Sequence, residues 1–201
     1  MKLICLALLS LLLVPVDADA QRHRRERAPE RDFSMEPYAG VYFDPVVQSG
    51  HQAGALVGVR VGYDLTRRMR LLADFGYSEV NGAGLVSSDE DAATLFTYGN
   101  DWIFTLAGVE FVLVPGNTAG ALTLVGGVGW RGTEIEQRAT GAAAEPDLGG
   151  WGSYAVIAPG VTLSHGLGAR SAVRVSLQDF IVDFGENAEH APALTLGVSF
   201  R

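Results

Sequence analysis

The feature that most restricts this chain is a period of two. Residues 57–64 read Val57-Gly58-Val59-Arg60-Val61-Gly62-Tyr63-Asp64. One set is Val57, Val59, Val61 and Tyr63; the other is Gly58, Arg60, Gly62 and Asp64. Successive side chains of a strand point to opposite faces, so the run predicts a strand with one apolar face. The pattern returns over 69–80, where Leu71, Ala73, Phe75 and Tyr77 oppose Arg70, Leu72, Asp74, Gly76 and Ser78. It returns again from residue 171, where Val173, Val175 and Leu177 oppose Arg174, Ser176 and Gln178. A shorter unit, Gly-Val-x-apolar, begins at Gly40, Gly58, Gly108, Gly127, Gly160 and Gly197. Repetition of one small pattern points to strands that share one architecture.

These runs predict eight strands, at 36–45, 53–64, 69–80, 95–114, 120–131, 151–164, 170–183 and 191–200. Short connections fall at 65–68, 115–119 and 165–169. Longer ones fall at 46–52, 81–94, 132–150 and 184–190. Alternation of short and long turns marks an up-and-down meander with two unequal ends, the layout of outer-membrane barrels. An even strand number places both termini at the short-turn end. The expected fold is therefore all-β: an eight-stranded antiparallel transmembrane barrel over 36–201, with short periplasmic turns and longer external loops.

The N-terminal segment reads as an address. Lys2 precedes an apolar run over 3–14, interrupted only by Ser10. Pro15 breaks it, and Ala18-Asp19-Ala20 is a small-x-small cleavage site. This is the pattern of a secretory signal peptide over 1–20. Residues 21–35 open with QRHRRERAPERD and read as a flexible polar leader. The whole chain has 15 basic and 23 acidic residues. Removing Lys2, Asp17 and Asp19 leaves 14 and 21, a net charge of −7 with no Lys. The single cysteine, Cys5, leaves with the signal, so no disulfide braces the exported chain. An acidic balance argues against a nucleic-acid partner. An apolar content of 48% argues against disorder.

Polarity of the two faces decides the environment. The faces opposite the bulky apolar residues carry Gly together with Arg60, Asp64, Arg70, Asp74, Glu110, Arg131 and Arg174. A soluble barrel would turn those charges outward around a dry core. The inverted arrangement fits the glycine content better, with Gly and charge filling a narrow lumen and Val, Leu, Phe and Tyr facing lipid. An arginine on the lipid face costs about 2–4 kcal/mol at the midplane, so polarity fixes register strongly. Eight strands leave an interior just wide enough for side chains. The seven charges are expected to satisfy one another there as a structural network in a plugged lumen.

The last strand places Leu194, Leu196, Val198 and Phe200 against Thr195, Gly197 and Ser199. With the signal peptide, the eight alternating runs and this closing LTLGVSF, the chain resembles the small eight-stranded outer-membrane β-barrels of the OmpX and OmpA-transmembrane-domain type. The resemblance covers about 36–201. It implies that the last strand is read by the barrel-insertion machinery. It differs in ending on Arg201, where members of the family usually end on the aromatic. The partners implied are outer-membrane lipid, lipopolysaccharide and that machinery; the chain is expected to be a monomer, with neither cofactor nor metal.

Tyr63, Trp130 and Trp151 stand where interfacial girdles belong. Some eight-stranded barrels modify lipid A with Ser/His/acid sites, and the chain holds His23, His51, His165 and His190. His51 and His190 lie near Ser49 and Glu189, and His165 follows Ser164, but no spacing brings a nucleophile, base and acid together. The stretch Ser87-Ser88-Asp89-Glu90-Asp91 is an acidic loop without EF-hand spacing. Asp179 falls on the lipid face by strict alternation; either it stands above the bilayer or a bulge near Gln178 shifts the phase. A structural or surface-interaction barrel without catalysis is the expectation. A carrier or channel for small hydrophobic molecules and a lipid A-modifying enzyme are its alternatives.

Overall fold

The computed structural model describes residues 32–46, 50–87, 93–139, 150–182 and 188–201. The expected signal peptide and nearly all of the leader lie outside these residues. Eight strands form, β1 (Phe33–Val46), β2 (Gly50–Asp64), β3 (Met69–Ser87), β4 (Ala93–Val114), β5 (Thr118–Ala139), β6 (Gly150–Gly166), β7 (Ser171–Val182) and β8 (Glu189–Phe200). Each pairs antiparallel with the next, and β8 pairs with β1 to close the barrel. Closure leaves no sheet edge unpaired around the wall. The chain thus adopts the eight-stranded antiparallel barrel that its alternation predicts.

Register fixes the dimensions. From Phe200 the cross-strand partners run through Met35, Val61, Ala73, Ala107, Gly126, Ile157 and Ile181 to His190. One circuit therefore returns to β8 ten residues from its start, a shear of ten over eight strands. Ten rises of about 3.3 Å against eight spacings of about 4.8 Å tilt the strands about 40° from the axis. A transmembrane strand needs about 9–11 residues. β7 and β8, with 12 each, barely exceed that length, while β4 and β5 have 22 each.

Those long strands correct the loop lengths. Much of the connections expected at 81–94 and 132–150 is ladder: β3 continues to Ser87, β4 resumes at Ala93 and β5 runs to Ala139. β1 likewise begins at Phe33, inside the stretch assigned to the leader, and pairs with Tyr63. The reason is local. Segments such as Asn81-Gly82-Ala83-Gly84 show no apolar alternation, yet cross-strand hydrogen bonding needs only backbone. Described strand therefore takes up part of each connection expected at 46–52, 81–94, 132–150 and 184–190.

Alternation sorts the side chains as the inverted reading requires. Large apolar residues exposed on the wall include Val59, Phe75, Leu124, Val175, Leu194 and Leu196. Charged residues buried inside include Glu36, Asp44, Arg60, Arg70, Asp74, Glu110 and Arg174. The lumen also holds a hydrophobic layer absent from the polar-lumen expectation, built on Trp102, Phe104, Phe180, Tyr42, Leu56 and Leu106. Rings fit a barrel this narrow because glycines on the neighbouring strands make room. The Phe104 ring occupies the space a Cβ on its partner Gly76 would fill, and Trp102 does the same at Gly129.

Candidate functional site

Positions along the strands divide the lumen into three levels. β1 presents Glu36 and Tyr38 near the short turns, then Tyr42, then Asp44 toward the other end. β4 presents Glu110, then Leu106, Phe104 and Trp102, then Asn100. β7 presents Arg174, Ser176 and Gln178 before Phe180 and Val182. Charge therefore fills the short-turn end, aromatic rings the middle, and a smaller polar group the far end.

At the short-turn end, acids and bases alternate along one connected chain. Arg60 Nη2 lies 2.7 Å from Asp74 Oδ2, and its Nη1 lies 3.3 Å from Glu36 Oε1. Arg174 Nε lies 2.8 Å from Glu36 Oε2, and Arg174 also pairs with Glu110. Arg70 reaches Glu110 at 3.4 Å and Asp64 at 2.6 Å. Arg201 Nη2 completes the chain 3.2 Å from Asp64 Oδ2. The order is Asp74, Arg60, Glu36, Arg174, Glu110, Arg70, Asp64, Arg201, with four charges of each sign. A buried charge requires a partner and satisfied hydrogen bonds, and neutral neighbours add them here. Tyr38 donates to Asp74 Oδ1 at 2.7 Å, and Arg60 donates to Gln178 Oε1 at 2.8 Å. The Arg60 guanidinium also sits 5.3 Å from the Tyr38 ring centroid.

Six of the seven charges expected in the lumen belong to this chain; Arg131 does not. It lies at the other end of β5, donating to Glu189 Oε2 at 2.8 Å and to Asp44 Oδ1 at 3.3 Å. Asn100 donates to the other Asp44 oxygen at 2.7 Å. The ring layer separates the two groups. Alternation reports which face a residue takes and not how far along the axis its partners stand. Glu36 and Arg201 were missed for a related reason. Glu36 opens the strand expected at 36–45, where polar and apolar residues do not alternate cleanly, and Arg201 follows the last strand.

The rings between the two polar groups are in mutual contact. Trp102 has its centroid 5.2 Å from Phe104, 5.2 Å from Phe180 and 5.0 Å from Tyr42. Phe104 and Phe180 are 5.0 Å apart. Such tilted and edge-on pairs are favourable beyond their burial.

The remaining candidates are scattered. Asp179 points outward, and the pairing of β7 with β8 holds one register through Gln178 and Asp179, so no bulge shifts the phase. Its Oδ2 lies 2.8 Å from His190 Nδ1 on the outer surface. His165 falls in β6 and not in a turn, with Nδ1 2.8 Å from Thr118 Oγ1 at the short-turn end. Ser49, residues 88–91, His23 and the side chain of His51 lie outside the described residues. On the outer wall, Trp130 and Trp151 are exposed, and Tyr63 packs on Phe33 with centroids 4.8 Å apart. In β8, Leu194, Leu196 and Phe200 face outward, with Val198 less exposed on the same face.

No protein-family model matches the chain, and no curated protein matches it in sequence. Among solved structures it is similar to Ail, the attachment invasion locus protein of Yersinia pestis, at 13% identity and a TM-score of 0.49, covering 84% of this chain and 98% of that one. Neisserial surface protein A aligns at 10% identity and 0.43, covering 84% and 96%. The N-terminal β-barrel domain of Pseudomonas aeruginosa OprF aligns at 15% identity and 0.44, also covering 84% and 96%.

Proposed function

We propose that this chain is an integral outer-membrane β-barrel with a structural or surface-interaction role, a lumen sealed to ions, and no catalytic site. The observation that carries the reading is inverted polarity. Arg60, Asp74 and Glu110 are 2%, 0% and 1% exposed, while Leu124 and Leu196 on the outer wall are 52% and 59% exposed. Water would reward the opposite arrangement, whereas lipid rewards this one and demands the closed ladder that satisfies every backbone group. An outward apolar band about 25 Å tall is what such barrels present to the hydrocarbon.

The seal is supported by two stacked barriers. A hydrated ion would have to part the alternating charge chain and then the Trp102, Phe104, Phe180 and Tyr42 layer. The charge network in this reading fixes register and neutralises the interior. β8, with Leu194, Leu196, Val198 and Phe200, is the strand that the insertion machinery would recognise, and lipid and lipopolysaccharide surround the wall. The extension of β3, β4 and β5 beyond a membrane-spanning length supports a role at the cell exterior.

Fractionation and gel mobility test the location. The protein should enter the outer-membrane fraction and migrate differently with and without boiling in SDS. A soluble periplasmic protein with unchanged mobility would overturn the reading. Planar bilayers test the seal: inserted protein should pass no steady current, and regular single-channel steps would refute it.

A further inference from the structure

The two ends of the barrel differ in charge, and the difference runs against the acidic whole. At the short-turn end, Arg67 and Arg68 close the β2–β3 turn, Arg170 closes the β6–β7 turn, and Arg201 ends the chain; all four are exposed. The acids described at that end are few. Asp64 is bound by Arg70 and Arg201, and Asp32 is half-buried. Glu36 and Glu110 face inward and are neutralised by Arg60, Arg70 and Arg174. At the opposite end the described side chains are mostly acidic, including Glu79, Asp101, Asp179 and Glu189, against Arg131.

The arginines stand beside exposed apolar residues. Leu167 shares the turn with Arg170 and is 62% exposed; Phe200 precedes Arg201 and is 49% exposed. The backbone carbonyl of Arg68 accepts from Val112, next to exposed Phe111 and Leu113. Arg201 N donates to Arg170 O at 2.9 Å, which brings two of the four arginines together. A soluble polyanion would call for cations alone. Cations rimming an apolar wall call for a ligand that joins a phosphate to acyl chains. Every exposed cation in this rim is arginine, whose planar fork binds phosphate oxygens in pairs.

We propose that this rim is a binding surface for anionic phospholipid headgroups of the periplasmic leaflet, with Arg68 and Arg170 as phosphate ligands. The inference rests on the membrane reading above. It assigns the basic end a specific lipid class, distinct from the lipopolysaccharide that the same reading places in the opposite leaflet.

The full-length exported chain, refolded into vesicles of equal parts phosphatidylcholine and phosphatidylglycerol, provides the test. After gentle solubilisation, native mass spectrometry counts the lipids retained. Phosphatidylglycerol should be retained in preference, and each of Arg68→Gln and Arg170→Gln should cut that preference about fivefold. Both substitutions lie in exposed turns, and the heat-shifted gel band reports that each variant has folded. Equal retention of the two lipids by the unaltered protein overturns the inference, and so does a preference unchanged in both variants. Capture of tripolyphosphate without preference for phosphatidylglycerol assigns the rim to a soluble polyanion instead. Failure to insert into vesicles of any composition removes the membrane reading together with the inference, whereas insertion without lipid preference removes the inference alone.

Discussion

Replacing Arg60 with Met is the sharpest probe of the lumen. Arg60 is 2% exposed and holds Asp74 through Nε at 3.0 Å and Nη2 at 2.7 Å. It also bonds Glu36, Ser176 and Gln178. In Arg60→Met the Asp74 carboxylate, itself 0% exposed, loses its counterion and keeps the hydrogen bond from the Tyr38 hydroxyl. Glu36 keeps Arg174. Breaking a buried ion pair from one side costs about 3–5 kcal/mol, because the remaining charge stays buried without its counterion. With a urea slope of about 2 kcal/mol/M, the unfolding midpoint should fall by roughly 2 M. Buried Trp102 supplies the fluorescence signal for reversible unfolding from vesicles. The double variant Arg60→Met, Asp74→Asn should recover part of the loss, because the unpaired charge is gone. A coupling of about 2 kcal/mol or more is expected between the two sites. A loss below about 1 kcal/mol for the single variant, or strictly additive losses, would refute the chain of dependent charges.

Three further outcomes follow from the same geometry. Phe104→Ala should cost about 3–5 kcal/mol in the same titration, since it opens a cavity between Trp102, Phe180 and Gly76; a neutral effect would mean the ring layer is not packed. Leu124→Arg, on the outer wall, should destabilise by about 2–4 kcal/mol in a bilayer if it lies near the midplane. A soluble barrel would tolerate that change, so an unaltered midpoint would count against the lipid face. Arg201→Ala should cost less than about 1 kcal/mol, because its side chain is 46% exposed and solvent screens its pair with Asp64; a loss as large as that of Arg60→Met would show that the chain of charges depends on its outermost member.

Legibility followed the pattern that each face carries. Arg60, Asp74 and Arg174 were readable as inward because their neighbours in sequence are bulky and apolar. Tyr42, Trp102, Phe104 and Phe180 were not, because an aromatic residue is equally at home on a lipid-facing wall and in a packed lumen. Gly76 and Gly129 decide the matter by leaving room on the adjacent strands, and that depends on register. Asp179 was ambiguous between two phases until the unbroken β7–β8 ladder set it on the outside.

Alternation by itself determined the class of fold, the number of strands and the inward face of Arg60, Arg70, Asp74, Glu110 and Arg174, because a strand's side-chain period is a local property of the backbone. Only the tertiary structure decided who meets whom. Glu36 bridges Arg60 to Arg174 across β1, β2 and β7, Arg201 reaches Asp64 over the β8–β1 seam, and Arg131 is cut off from the others by rings. Those contacts depend on a shear of ten residues around the closed wall, and shear is a sum of registers that no single strand contains.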